Sequence, residues 1–520
     1  MVSGKDTEKI MSATITDKFK RQVLLDLYNS FHNVGLDSGQ DSDRYYVGLG
    51  RSEAWSDDNS PPSPSPSKND IRDFQSSLQG MKRIIDLSYV VPRHNWSAGS
   101  VYTAWSNDRH SDTSIGALQE IEGSYYVITD EHNVYVCIQQ GITDAGVVRN
   151  SIYKPTEVSF EPFEAGPDGY VWKFMYNVGV FNSRRYLTSE YIPVEQILDS
   201  SEGGPAGGSL SASRIAQVLI QFASIPGQVL GADIKNGGSN YSSTDVITIT
   251  GDHEGDSATA YPRVDVNGSI FQVVMKDSSN SPSYNFGAGY GNRTTMSINS
   301  STGTGAKLLP IVHLDSGGLG HDPRTDLMAS ALMYSVRFVG TEENVFSTTN
   351  DFRQVALIKN PMRDSLNNPD HLLSVGDSAV SAVRGSTLRK LYVGSGIDIT
   401  LTDLDNTVRG ASSGAVAFVD YYRTYVDSDC CDSDLNTTHN VLYVHQSDST
   451  GYEAFEKGEL VELSDAAGAA TVIAHADSDI PALRYADIDA FSGEVFYVNN
   501  RLPIDRDEDQ TEDIKIVIDL

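Results

Sequence analysis

Short segments that alternate apolar and polar residues follow one another along this chain, with few helical patterns between them. That succession restricts the fold more than any other feature. GYVWKFMYNV (169–178) sets Tyr170, Trp172, Phe174 and Tyr176 on one face, because side chains alternate across a strand. YYVITDEHNVYVCIQ (125–139) reads as two short strands around an Asp-Glu-His-Asn turn. DVITITG (245–251), ALMYSVRFVG (331–340), FRQVALIKN (352–360), NVLYVHQ (440–446) and GEVFYVNN (493–500) continue the pattern. In RVDVNGSIFQVVMKD (263–277) the Asn267-Gly268 pair is a strong hairpin signal. Strands that follow strands argue against a parallel α/β sheet. The expected class is mainly β: a multidomain, sandwich-like architecture with a few helices near the N-terminus and glycine-rich β insertion domains.

Two helices are expected early. After Thr16 and Asp17, Phe19, Val23, Leu27 and Phe31 recur at helical spacing, and Leu24 and Tyr28 widen the stripe. After Asn69, Ile71, Phe74, Leu78 and Met81 line a second face. Both stripes read as core packing.

SEGGPAGGSLSAS (201–213) has the composition of a linker. Beyond it lies a weak internal repeat. IKNGGSNYSSTDVITITGDHEGDSATA (234–260) is echoed by VMKDSSNSPSYNFGAGYGNRTTMSINSSTGTGAK (274–307). Each unit has a strand, a glycine-rich turn ending in tyrosine, a Thr/Ser/Ile strand, and a glycine-rich end with alanine; tandem units of this kind stack or pair to bury a shared core. GASSGAVAFVDYY (410–422) and FEKGELVELSDAAGAATVIA (455–474) suggest another small β-domain over roughly 378–490.

The 520 residues carry a net charge of −31 and are 39% hydrophobic. That leaves material for real cores. The charge argues against nucleic acid as the main partner, since phosphate binding needs a basic footprint, and against docking on an anionic membrane. Cys137, Cys430 and Cys431 are the three cysteines. They make neither a disulfide framework nor a CxxC zinc pair, which fits a reducing cytoplasm. The opening MVSGKDTEKIMSATITDKFK lacks the apolar core of a signal peptide, and no apolar stretch is long enough for a membrane helix.

The candidate chemistry is weak. GLGRSE (48–53) nearly matches a phosphate-binding GxGxxG, but Glu53 stands where the last glycine belongs, so a carboxylate would occupy the cradle. The glycines fit better as a bend or a close approach. Arg51 and Glu53 share a strand face, and Trp55 reads as a packing anchor. SPPSPSPS (60–67) reads as an exposed, semi-extended loop. DSDCCDSDLN (427–436) and IDRDEDQTED (504–513) lack the register of a calcium loop. His439 and His445 share a strand face, with no carboxylate placed beside them to make a ligand set. GxSxG and HExxH are both missing, and Cys137 within YVCI reads as a buried, inert thiol.

Five stretches in fixed order, YVGLGRSEAW (46–55), YVVPRHNW (89–96), DGYVWKFMY (168–176), FRQVALIKNP (352–361) and GEVFYVNNRLPIDRDEDQTEDIKIVI (493–518), together with LLDLYNSF (24–31), resemble the gene-product-eight baseplate wedge subunit of T-even-type contractile-tailed bacteriophages, in a longer, cyanophage-like form. The resemblance covers about 13–200, 330–362 and 490–520. It implies a wedge core at 1–95, a β-domain at 96–204, a return to the core at 321–377 and C-terminal core strands at 491–520, with 205–320 and 378–490 as insertions. It further implies a non-enzymatic homodimer that contacts other wedge proteins, supports the baseplate through its change of shape at attachment, and resides in the virion tail after assembly in the host cytoplasm. No cofactor, metal, nucleic acid, membrane insertion or small-molecule substrate is expected. The scaffold positions it marks are Gly50, Arg51, Ser52, Glu53 and Trp55, then Pro92, Arg93 and Trp96, then Asp168, Gly169, Tyr170 and Trp172. Further along they are Asn360 and Pro361, Asn500, Arg501 and Pro503, and Gln510, Thr511 and Glu512. A second reading is a carbohydrate- or receptor-binding tail protein whose insertions present tyrosine platforms to sugars.

Overall fold

The computed structural model describes residues 16–32, 43–107, 124–197, 212–251, 255–278, 281, 283–342, 345–348, 350–364, 384–394, 406–426, 438–464, 469–472 and 481–519. Most of the 201–213 linker, Cys430 and Cys431, and the acidic 427–436 loop lie outside them. The chain forms two compact units: Met1–Asp26 with Ser88–Met333 and Val517–Leu520, and Leu27–Leu87 with Tyr334–Ile516. The 205–320 region falls in the first and 378–490 in the second.

The protein is mainly β, built from several antiparallel sheets. The second unit holds a five-stranded sheet in the order Arg384–Ser386, Leu78–Arg83, Tyr45–Gly50, Phe352–Lys359, Glu494–Ile504. Tyr45–Gly50 lies at its centre and is buried throughout. A Cβ on Gly48 would stand 2.9 Å from Leu78 Cδ2 and 3.0 Å from Ile358 Cδ1, so glycine serves a close approach there. A seven-stranded sheet follows, with Val416–Val426 and Thr438–His445 paired near its middle. Its interior is aliphatic, from Leu391 and Val408 to Leu442 and Val461.

In the first unit, Tyr126–Ile128, Asn133–Gln139, Val171–Asn177 and Phe163–Glu164 form one sheet. Cys137, Tyr170, Trp172 and Phe174 pack into one cluster on it. Val171 and Met175 on the opposite face are buried too, so this strand is covered on both sides. The Asn267-Gly268 hairpin forms as expected, joining Tyr261–Val264 to Ile270–Val274.

The helices depart from expectation. The first runs Asp17–His32, with Thr16 Oγ1 accepting from Phe19 N at 3.4 Å. Of its stripe Leu24 is buried, while Phe19 is 59% exposed and Val23 is exposed. The second helix, Lys68–Ser76, stops early. Leu78 and Met81 belong instead to the strand Leu78–Arg83, which pairs with the Gly48 strand. Leu78 and Met81 keep helical spacing from Phe74 along the sequence, but sheet pairing overrides it. Helix Ala212–Ala223 directly after the linker was not expected. Its Gln221 gives Nε2 to Ile197 O at 2.8 Å and takes Ile197 N at 3.1 Å, as a neighbouring strand would. No helix among the described residues is long and apolar enough to cross a membrane.

Candidate functional site: a polar junction at the scaffold motif

The strand Tyr45–Gly50 ends in a register shift between Leu49 and Gly50. Arg51 then takes a left-handed φ of 59°, and its N–H donates to Ser77 O at 2.8 Å. This backbone turn carries Ser52, Glu53, Trp55 and Asp58 across the end of the sheet. The Arg51 guanidinium stacks on Trp55 at 4.0 Å and lies 3.8 Å from Glu53 and 3.5 Å from Asp73. Trp55 Nε1 donates to Arg501 O at 3.0 Å.

That carbonyl needs a donor because the edge strand Glu494–Ile504 slips out of register there: Phe352 faces Ile504 and Gln354 faces Asn500. Arg501, Leu502 and Pro503 therefore stand opposite Arg353 alone. A proline fits such a bulge, where no ladder N–H is called for. Asn500 closes the other side, accepting from Gln354 Nε2 and donating to Pro62 O, both at 2.9 Å. The serine-proline loop is thereby tied at one point.

Arg353 is the hub. It is buried to 1% exposure. Nε and NH2 hold both oxygens of Asp58 at 3.0 and 2.8 Å, while NH1 reaches Asp351 at 2.6 Å and Ser52 O at 2.7 Å. The fork geometry matches a carboxylate as no lysine could. Its hydrogen bonds hold the Asp58 carboxyl well below the ordinary carboxylate range, at about 2.

Behind this hub lies a second cluster. Ser52 Oγ donates to Asp420 Oδ1 at 2.7 Å, and Asp420 Oδ2 meets His445 Nδ1 at 2.6 Å. His445 Nε2 lies 3.7 Å from Glu53, which accepts from Ser447 Oγ at 3.3 Å. The Asn350 amide caps the Asp420 carbonyl. Contrary to expectation, two carboxylates stand beside His445: Asp420 from the paired strand Val416–Val426 and Glu53 from far along the chain. Burial disfavours the imidazolium, but the Asp420 and Glu53 carboxylates outweigh it and raise His445 to about 10. Burial likewise opposes ionised Glu53, and His445 with Arg51 overcomes that and lowers it.

This is no hydrolytic triad. In a triad the second imidazole nitrogen faces a nucleophilic hydroxyl; here it faces a carboxylate, and Ser52 and Ser447 are each bonded to a carboxylate. Among the described residues no group of three or more His, Cys, Asp or Glu side chains is placed to hold a metal ion. The arrangement fixes a shape.

The other scaffold positions also serve local geometry. In the first unit, Arg93, following Pro92 at the strand end, donates to Thr188 O at 2.7 Å and Asn95 at 2.8 Å. Trp96 donates to Ser151 Oγ at 3.2 Å. Asp168 is buried and accepts from Ile152 N at 2.8 Å, Tyr153 N at 3.2 Å and Tyr170 N at 3.2 Å. Gly169 takes a φ of 85°, and Tyr170 stacks on Trp172. In the second unit, Asn360 at φ 51° bonds Arg44 N at 2.8 Å and Asp43 at 2.9 Å, next to buried Pro361. Glu512, next to Thr511, accepts from buried Arg506 at 2.9 Å, and Gln510 O accepts from Gly340 N at 3.0 Å. Sequence reasoning missed Asp58, Arg353, Asp420 and His445 as members of this set. The one local signal was a charged Asp-Phe-Arg-Gln opening to an otherwise apolar strand.

The two tyrosines that end the glycine-rich turns of the repeat offer no open ring face to a sugar. Tyr241 and Tyr290 are 9% and 3% exposed, so their faces are covered.

Comparison with known proteins bears on the same residues. A sequence model of the family described as "Bacteriophage T4, Gp8" matches residues 13–151, which contain both YVGLGRSEAW and YVVPRHNW. The baseplate wedge protein gp8 of Enterobacteria phage T4 is 26% identical over 213 residues, covering 36% of this chain and 62% of that relative. The match thus spans less than two thirds of the relative's length. These findings support the resemblance drawn from the motifs.

Proposed function

We propose that this chain, as a protein of the Gp8 family, is a structural subunit of a phage tail baseplate wedge that acts by shape and turns over no substrate. The observation that carries the reading is the family match over 13–151, which includes the Arg51–Asp58 stretch. The geometry supports it, because the polar groups of that stretch are held in mutual contacts and few remain for a ligand. On this reading the protein is a homodimer that bridges neighbouring wedge proteins and supports baseplate assembly and rearrangement at attachment. It is assembled in the host cytoplasm and resides in the virion tail. The net charge of −31 keeps unassembled copies apart until specific patches meet.

The test is co-expression with the other wedge proteins of the same phage, followed by electron microscopy of the complexes and of whole tails. Two copies per wedge are expected. A protein that stays monomeric and outside the wedge, or density that places it away from the tail end, overturns the reading.

A further inference from the structure

The glycine-rich region holds more order than its sequence repeat suggests. Its first half runs from Pro226 to Val264 and its second from Asn267 to Val312. Each opens on a left-handed glycine, Gly227 at φ 67° and Gly268 at φ 68°. A strand follows, Val229–Asn236 or Ile270–Val274. Each half then has an asparagine whose side chain takes a glycine N–H, Asn236 with Gly238 at 2.9 Å and Asn285 with Gly287 at 3.2 Å. The tyrosine comes next, Tyr241 or Tyr290. The strands Val246–Thr250 and Thr295–Asn299 begin at equal distances from their tyrosines and pair antiparallel, with Thr248 opposite Ser297 at the centre. Val246 thus faces Asn299 as Thr250 faces Thr295, which sets a local two-fold axis between Thr248 and Ser297.

The bonds between the halves obey the same axis. Tyr241 Oη accepts from Ala306 N at 3.3 Å, and Tyr290 Oη accepts from Ala258 N at 3.0 Å. Tyr241 N donates to Gly268 O and Tyr290 N to Gly227 O, both at 3.0 Å. Asn240 N reaches Asn267 O at 3.2 Å, and Gly289 N reaches Pro226 O at 2.8 Å. Ile270 N donates to Gly237 O and Val229 N to Phe286 O, both at 2.9 Å. Ser239 N donates to Thr304 O at 3.1 Å, and Ala288 N to Asp256 O at 2.9 Å. The strands exchange likewise: Lys307–Val312 at the end of the second half pairs with Val229–Asn236 of the first, and Tyr261–Val264 pairs with Ile270–Val274. Each half takes its ladder partner and its tyrosine's donor from the other.

We propose that residues 226–312 are a fused dimer of one pairing element, and that the partner each half is shaped to bind is a second copy of itself, here supplied by the same chain. Independent fitting of two unrelated segments would not place so many equivalent donors and acceptors crosswise. The halves differ where their neighbours differ. Arg263 and Gln272 reach Ile142 O and Gln140 O of the adjoining β-sheet region, both at 2.9 Å. The matching positions in the other half are Ile311 and Gly231.

The test uses the full chain and amide hydrogen exchange read on peptides covering Ala258 and Ala306. Tyr241→Phe is expected to speed exchange at Ala306 by about tenfold and leave Ala258 unchanged; Tyr290→Phe is expected to do the reverse. A variant in which the segments 236–241 and 285–290 trade places is expected to keep both alanines protected. If either tyrosine variant deprotects the alanine of its own half, or the exchanged variant loses protection at both, the proposal falls. Neither readout depends on a baseplate role.

Discussion

The junction at Arg353 and the fused pair at 226–312 solve one problem in opposite ways. Both order irregular, glycine-bearing chain. In the junction a few charged side chains do it, drawn from positions as far apart as Glu53 and His445. In the fused pair the backbone does it, through many neutral hydrogen bonds and glycines in left-handed turns. The first arrangement concentrates stability in single groups, because a buried charge deprived of its partner is strongly unfavourable. The second spreads stability over contacts of about 1 kcal/mol each.

Arg353→Ala is the sharpest way to break that contrast. It removes the donor to Asp351 and Ser52 O, leaves Asp58 only the Trp55 N–H, and is expected to destabilise the second unit by about 3–5 kcal/mol, read as the shift of its urea transition. Arg353→Lys is expected to recover little, since an ammonium cannot span both Asp58 oxygens. Gly227→Ala tests the other side. Its Cβ would meet Tyr290 N and O at 2.5 Å, from a φ of 67°. The expected loss is about 2–4 kcal/mol, confined to the first unit. A glycine that proved as replaceable as a surface residue would undo the backbone account.

The junction should also respond to pH through its buried charges. His445 has its folded value raised above the ordinary 6.5, to about 10. Its contribution is therefore complete below about pH 6.5 and is lost as pH rises through about 10. Glu53 is lowered from 4.5, so its contribution is present above that value and is lost as pH falls. The stability gap between the native protein and His445→Gln is expected to be widest near pH 5–6.5 and to close toward alkaline pH. Denaturation over a pH series reads it; a gap that widens above pH 9 contradicts the sign. The smallest expected effect is that of Trp55→Phe, which keeps the stack on Arg51 and removes one hydrogen bond to Arg501 O, for about 0.5–1.5 kcal/mol.

Much of the fold was legible because strand periodicity and turn chemistry are local. The alternation at Tyr170–Tyr176 and the Asn267-Gly268 turn each specify an element within a few residues. The second helix misled for the same reason. Ile71, Phe74, Leu78 and Met81 keep a helical spacing, yet the last two are buried by sheet neighbours from elsewhere in the chain. The tyrosine and alanine of each repeat unit were visible as a pattern, while the bond from one unit's tyrosine to the other unit's alanine was not.

The sequence by itself determined a chain of antiparallel strands, the duplicated glycine-rich unit and the order of motifs that relates it to a baseplate family. These follow from the preferences of neighbouring residues. Only the tertiary structure decided that His445 sits between Asp420 and Glu53, that Arg353 holds Asp58, and that the repeat halves exchange partners. A charge or a carbonyl is satisfied by whatever lies within about 3 Å, and distance in space is set by the packing of sheets, which spacing along the chain does not encode.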